Sequence, residues 1–285
     1  MTFHRRFHLA AWALALPALV VLGLQIVPLA DALRTAFRDQ AGHFTFAHVL
    51  RVYRDPLFLR AVRFNLLIPV ASVALEAVAG VGMALWFYEL RRGKSLWRTV
   101  AIVPFAVPEI VYLLTMKLVF RQHGYLNSLL YSFGGQNAVV GWLNPGSPLA
   151  VLVLIAVDAW RVTPLIFLIV LAALEQMPES YVQAARVDGA SRWQLIWLVQ
   201  IPLVLPALLV ALAIRAVDAF RIFATPLVLV GVQQVPVLTS VAYHYKVEAN
   251  DPAAANVAAL ALAAALLLGT VLVLILARRR VADLT

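Results

Sequence analysis

The 285-residue sequence contains no cysteine. Disulfides, cysteine-ligated iron–sulfur clusters and thiol catalysis are excluded with it. Charge is scarce as well: Asp, Glu, Lys and Arg make up 13% of the chain, about half the share of an ordinary soluble domain. The histidines His4, His8, His43, His48, His123 and His244 are scattered, without the paired spacing of a metal site. No nucleophile elbow or zinc-protease motif occurs. Gly93-Lys94-Ser95 matches the end of a phosphate-binding loop, but Tyr88 stands where its first glycine is required, and no buried strand precedes it. An ATP site on this chain is therefore not expected. A membrane-embedded enzyme also lacks the clustered acid, base or metal residues it would need near one interface.

Apolar residues are abundant. They form 63% of the chain, and the mean hydropathy is +0.88. They come in runs too long for core strands, which points to an all-α membrane protein rather than a barrel. Six transmembrane helices are expected, at roughly 9–30, 64–88, 99–120, 149–173, 203–230 and 254–277, each near the ~20 residues that cross a bilayer core. The run from Leu9 has no small-residue cleavage site and reads as a retained span. The net charge of +9 sits largely in short loops and at span ends, where it sets topology and meets anionic lipid headgroups. No basic, aromatic-interleaved motif points to nucleic acid. The bias of Lys and Arg favours both termini in the cytoplasm. Arginines in the first outer loop weaken it, offset there by Asp31, Asp39 and Asp55.

Between the fourth and fifth spans, YVQAARVDGASRWQLIWLVQIPLVLP breaks the apolar pattern with Gln183, Arg186, Asp188, Arg192 and Gln194. Pro178 and Glu179 suit a helix start, and a short helix is expected to about Val187. Gly189 supplies a turn. Ser191 followed by Gln194 is a capping-box pattern, so a second helix is expected from Arg192 to Ile201, ahead of Pro202 and Pro206. With Ala184, Ala185 and Ala190 keeping its surface shallow, the loop suits either a docking knob for another protein or a helix lying on lipid, as Trp193 and Trp197 allow.

Gln183-Ala184-Ala185, Asp188-Gly189-Ala190, Trp193-Gln194 and Ile201-Pro202-Leu203, closed by Pro206, resemble the EAA motif of membrane subunits of binding-protein-dependent ABC importers. The lead-in Leu174 to Pro178 and Tyr181 is similar to the sugar-permease branch, and weaker likenesses run from Leu16-Pro17-Ala18 to Tyr245. The resemblance implies a type I ABC importer transmembrane domain: a core over 64–285, preceded over 1–63 by an N-terminal tail, first span and first outer loop. Its cytoplasmic coupling loop, 176–202, would insert into a cleft of an ATPase subunit. Gln183, Ala184, Ala185, Asp188, Gly189, Ala190, Trp193, Gln194 and Pro202 are the coupling residues it implies. Gln183 departs from the motif's glutamate, so an ion pair to the ATPase would become a neutral hydrogen bond.

Ionisable residues inside spans are costly and therefore candidate functional groups. Glu76, Glu109, Lys117, Asp158, Arg161, Arg215, Asp218 and Arg221 qualify. Arg215, Asp218 and Arg221 share one helix face and are expected to pair, as are Asp158 and Arg161. Lys117 is expected to snorkel outward. A sugar pathway needs hydrogen-bonding groups and aromatic faces, for which Asn65, Tyr112, Thr115, Asp218 and Phe220 are the candidates.

The resemblance implies a permease subunit in the bacterial or archaeal cytoplasmic membrane, carrying a sugar or related polyol. Its implied partners are a second, homologous permease forming a heterodimer, two ABC ATPase subunits that use ATP and Mg, an extracytoplasmic solute-binding protein, and membrane lipid. No cofactor is expected on this chain. The alternatives are a permease for a phosphate ester or polyamine, and an ATP-independent secondary transporter. The latter would have internal inverted repeats or broken helices, which the sequence does not suggest.

Overall fold

A computed structural model describes residues 20, 22–39, 41–90, 92–133 and 139–282, and for residues 270–282 the backbone alone. Its described elements are helical, apart from one isolated bridge between Arg38 and Phe44. A helix over 22–37 (α1) continues past the expected end of the first span; residues 9–19 of that span lie outside the described residues.

The short α2 (Ala47–Arg54) leads into α3 (Pro56–Glu89). Asp55 caps α3 by accepting from the Leu57 amide, and Pro56 occupies the first turn, where its missing N–H costs nothing. The second span therefore starts at Pro56 rather than near residue 64. At 34 residues, α3 is about 50 Å long and extends beyond a ~30 Å bilayer core.

The expected third span is not one helix. It is divided into α4 (Lys94–Ala106) and α5 (Glu109–Phe120), the latter followed by α6 (Tyr125–Ser132). The two parts of the pair meet at 90°. Pro108 stands at the division. A residue before proline is driven out of the helical region, and Val107 is extended (φ −76°, ψ 133°).

Next, α7 (Pro148–Glu175) repeats the start of α3: Ser147 accepts from the Leu149 amide and Pro148 follows in the first turn. This helix is the axis of the fold. About two thirds of its apolar window is buried, against 22–28% for the other span-length helices. It packs tightly on α3, where a Cβ at Gly80 would lie 2.9 Å from the Ile166 side chain. Nearby, Phe87 and Phe167 meet edge-on at 4.8 Å. The open apolar faces of the other helices suit lipid or another subunit.

The loop helix α8 (Glu179–Val187) and α9 (Arg192–Gln194) follow. From Arg192 the chain stays helical to Phe220, so the second loop helix and the fifth span are continuous. Between α9 and α10 (Ile201–Phe220) lies a π-helical segment, Leu195–Gln200. Pro202 explains it: a proline ring clashes with the carbonyl four residues back, and a wider turn relieves the clash. The expected span to residue 230 stops at Phe220, after which α11 (Ala224–Leu229) and α12 (Leu238–Tyr243) form a cap. The last helix, α13, is Pro252–Ala282.

Candidate functional site

The loop between α7 and α10 has the local structure its residues specify. Glu179 lies in the first turn of α8, and Arg186 in its last, each matched to the helix dipole. Gly189 is left-handed (φ +79°), with nothing near the position of a missing Cβ. Ser191 Oγ accepts from the Gln194 amide while Gln194 Oε1 accepts from the Ser191 amide, closing the capping box.

Its packing is one-sided. Val182, Leu195, Ile196 and Gln200 are buried, and α8 packs against the segment Leu195–Gln200. Gln183, Ala184, Asp188, Gly189, Trp193, Gln194 and Pro202 are exposed, and Ala185 and Ala190 half-buried. Val187 (87% exposed) and Trp193 (71%) stand out beside Gly189, an apolar display that argues for a partner. Two ion pairs join this end of the helices. Arg192 donates to both carboxylate oxygens of Glu89 at the end of α3, and Arg98 on α4 donates to Glu175 at the end of α7 at 2.7 Å. Glu89, Arg98 and Glu175 were not singled out from sequence, because the partners are 77 and 103 residues apart.

Deeper in the helices, Arg215 on α10 is 2% exposed. Its Nε donates to Glu76 Oε2 on α3 at 2.8 Å, its Nη2 to Asp158 on α7, and its Nη1 to Asp218 at 2.9 Å. Three helices thus meet at one guanidinium. Glu76 and Asp158 are buried, whereas the Asp218 side chain is 66% exposed. Glu76 Oε1 is buried without a hydrogen-bond partner among the described residues. The expected Arg215–Asp218 pair is present, and Arg221 is exposed. Asp158 pairs with Arg215 rather than Arg161, whose guanidinium instead faces Glu109 at 3.5 Å.

The pathway candidates are dispersed. Asn65 is buried; its amide donates to the Phe220 carbonyl at 3.2 Å and its oxygen accepts from the Leu238 amide at 3.1 Å. It thus ties α3 to the end of α10 and the start of α12. Tyr112 is buried, its hydroxyl donating to the Val157 carbonyl at 2.9 Å. Thr115 donates to the Val111 carbonyl in its own helix. Phe220 is half-buried, and Asp218 alone presents a charged group at an open face. Lys117 is exposed and donates to the Val228 carbonyl.

Comparison with known proteins places these features in context. Residues 76–282 match the family model described as binding-protein-dependent transport system inner membrane component. The trehalose/maltose transport system permease protein MalF of Thermococcus litoralis is 34% identical over 188 residues, covering 64% of this chain and 62% of that protein. The trehalose transport system permease protein SugA of Mycobacterium tuberculosis is 34% identical over 211 residues, covering 74% and 64% respectively. The matched stretch is thus under two thirds of either relative. Among solved structures, a bacterial ABC transporter involved in the import of the acidic polysaccharide alginate superposes with a TM-score of 0.85 at 20% identity, over 96% of each chain. The MetNI methionine ABC transporter gives 0.53 at 21% identity, over 80% of this chain and 96% of that one. The likeness gives the helical arrangement its fold class, that of a type I ABC importer permease.

Proposed function

This chain belongs to the binding-protein-dependent transport system inner membrane component family, and from that premise we propose that it is one membrane-spanning half of an ATP-driven importer for a sugar or related polyol. The observation that carries the reading is the loop over 176–202: a short helix, a left-handed glycine and a second helix closed by a capping box, with one face buried and the other displaying Val187 and Trp193. The solute class is supported by the trehalose and maltose named for its relatives.

In this reading the chain crosses the cytoplasmic membrane of a bacterium or archaeon six times with both termini inside. The core is 64–285, and the loop faces the cytoplasm. A second permease completes the pathway as a heterodimer. Two ATPase subunits bind and hydrolyse ATP with Mg, and an extracytoplasmic binding protein delivers the solute. The chain itself is a transport subunit without a cofactor.

Closure of the ATPases would draw the two coupling loops together. The Arg192–Glu89 and Arg98–Glu175 pairs link the loop end to α3, α4 and α7. The helix from Arg192 to Phe220 is continuous. It carries displacement roughly 35 Å, at 1.5 Å per residue, from Arg192 to Arg215. There α3, α7 and α10 are joined, so they move as a unit and alternate the access of the pathway.

The test is uptake into vesicles containing the purified complex. ATP-dependent accumulation, with a second permease and an ATPase co-purifying, is the expected result. Isolation of the chain alone, with undiminished transport in ATP-free vesicles, would overturn the reading in favour of a secondary transporter.

A further inference from the structure

Residues within 117–123, residues 142–144 and Leu229 of α11 contribute to the lining of an open cavity of about 350 Å³, at the end of α7 opposite the proposed coupling loop. Its polar lining comprises Lys117, Arg121, Gln122, His123 and Asn144, backed by Trp142. No described carboxylate lines it, and the sequence has no Asp or Glu between Glu109 and Asp158. Two exposed cationic side chains therefore line one cavity that has no counter-charge among its lining residues.

The cavity wall is held in shape. Asn127 is 7% exposed; its amide donates to the carbonyls of Gln122 and Val140, both at 2.8 Å, and its oxygen accepts from the Trp142 indole at 2.9 Å. Lys117 donates to the Val228 carbonyl at 2.6 Å, which fixes α5 to α11 and leaves two further ammonium hydrogens to donate. Arg121 and His123 are exposed.

We propose that this cavity binds a phosphate group, supplied by the headgroup of an anionic phospholipid or by a soluble phosphate ester. Arg121 offers a planar fork for two phosphate oxygens, and Lys117 a compact charge beside it. The amides of Gln122 and Asn144 are neutral donors to the remaining oxygen positions. Trp142, at the end of the membrane-spanning helices, suits the headgroup level. A bound phosphate supplies the negative charge that the lining lacks. The inference does not rest on the import reading, since its test measures binding and not transport.

The full chain, with whatever subunits accompany it, is purified in neutral detergent. Its melting temperature is followed against short-chain phosphatidylglycerol, phosphatidylcholine and inorganic phosphate, and retained lipid is counted by native mass spectrometry. The expected result is stabilisation that weakens at least about tenfold in apparent affinity in Arg121→Gln, since the loss of even one of its two charge-assisted hydrogen bonds is worth that much. His123→Gln should weaken it less, and Arg92→Gln at the opposite end should not change it. Stabilisation by phosphatidylglycerol alone assigns the group to lipid; an equal effect of inorganic phosphate assigns it to a soluble ester. If no phosphate compound stabilises the wild-type chain, or if Arg121→Gln and His123→Gln both respond as it does, the proposal is overturned. Should Arg121→Gln fail to fold, the wild-type titrations and His123→Gln still decide.

Discussion

Arg215 and Glu76 form a buried ion pair between α10 and α3, with Nε and Oε2 at 2.8 Å and side chains 2% and 0% exposed. The same guanidinium reaches Asp158 on α7, so its loss would leave two carboxylates buried without their cation. Arg215→Met is expected to destabilise the protein by roughly 3–5 kcal/mol, read as a lower melting temperature in detergent. Adding Glu76→Gln and Asp158→Asn should restore much of that loss, because the uncompensated charge is then gone. No recovery in the triple variant would mean that the cluster does not act through charge.

Gly189 gives a sharper test of the proposed coupling role of the loop over 176–202. Space around it is open, so a substitution is opposed by its positive φ and not by a clash. Gly189→Val should cost about 1–2 kcal/mol locally and reduce solute transported per ATP hydrolysed, with membrane insertion unchanged. Asn tolerates the left-handed region, so Gly189→Asn should retain more coupling. Equal behaviour of the two variants in a combined ATPase and uptake assay would count against the backbone explanation.

For the pair formed by Arg192 and Glu89, stability and coupling should separate. Both side chains are exposed, so breaking the pair should cost no more than about 1 kcal/mol. Arg192→Glu should nonetheless lower transport per ATP, and the added Glu89→Arg exchange should recover it. The measurement is uptake in the two single variants and the exchanged pair; a double variant no better than either single one would remove the pair from the coupling route.

Much of this loop was legible in the sequence because its determinants are local. The Ser191–Gln194 cap lies within three residues, and Gly189 marks its own turn. The four long apolar helices were legible for the same reason. Interhelical pairing was not. Spacing of i, i+3 suggested Asp158 with Arg161, but packing of α7 against α10 and α5 gave each a different partner. The division at Val107 was also missed. Pro104, Pro108 and Pro164 have the same sequence signature, yet Pro104 and Pro164 lie inside continuous helices while Pro108 ends one. The effect of a proline on the residue before it is a bias, and the sequence signature alone does not separate the three positions.

The contact between α3 and α7 can be probed at Gly80. Gly80→Val must displace Ile166, since even a Cβ would sit at 2.9 Å, and overpacking of this kind costs about 1–3 kcal/mol. At Gly82 nothing lies within 4 Å, so Gly82→Val should be nearly neutral. Thermal unfolding of the two variants in detergent compares them directly.

Tyr245, between α12 and α13, gives a pH dependence. Burial, and then its hydrogen bond donated to Asp55, raise the phenol above its ordinary value near 10. The native state therefore holds this proton more tightly than the unfolded chain. The associated stability is complete below about pH 10 and is lost as pH rises toward the native value. Tyr245→Phe should flatten that alkaline decline in a melting series; an unchanged slope would assign it to other groups.

The π-helical segment Leu195–Gln200 has a consequence for how this chain tolerates changes of length. A π turn accommodates one residue more than an α turn, and each residue turns an α-helix by about 100°. Deleting a single residue there would convert the wide turn into an α turn and leave α10 facing nearly the same way, whereas a deletion within α10 ahead of Arg215 would rotate everything beyond it by that angle. Arg215 would then face away from Glu76 and Asp158. The position of the guanidinium is thus a matter of counting from Ile201: an insertion or deletion between residues 201 and 214 would displace it even where every side chain was kept, while Leu195–Gln200 can absorb the loss of one residue.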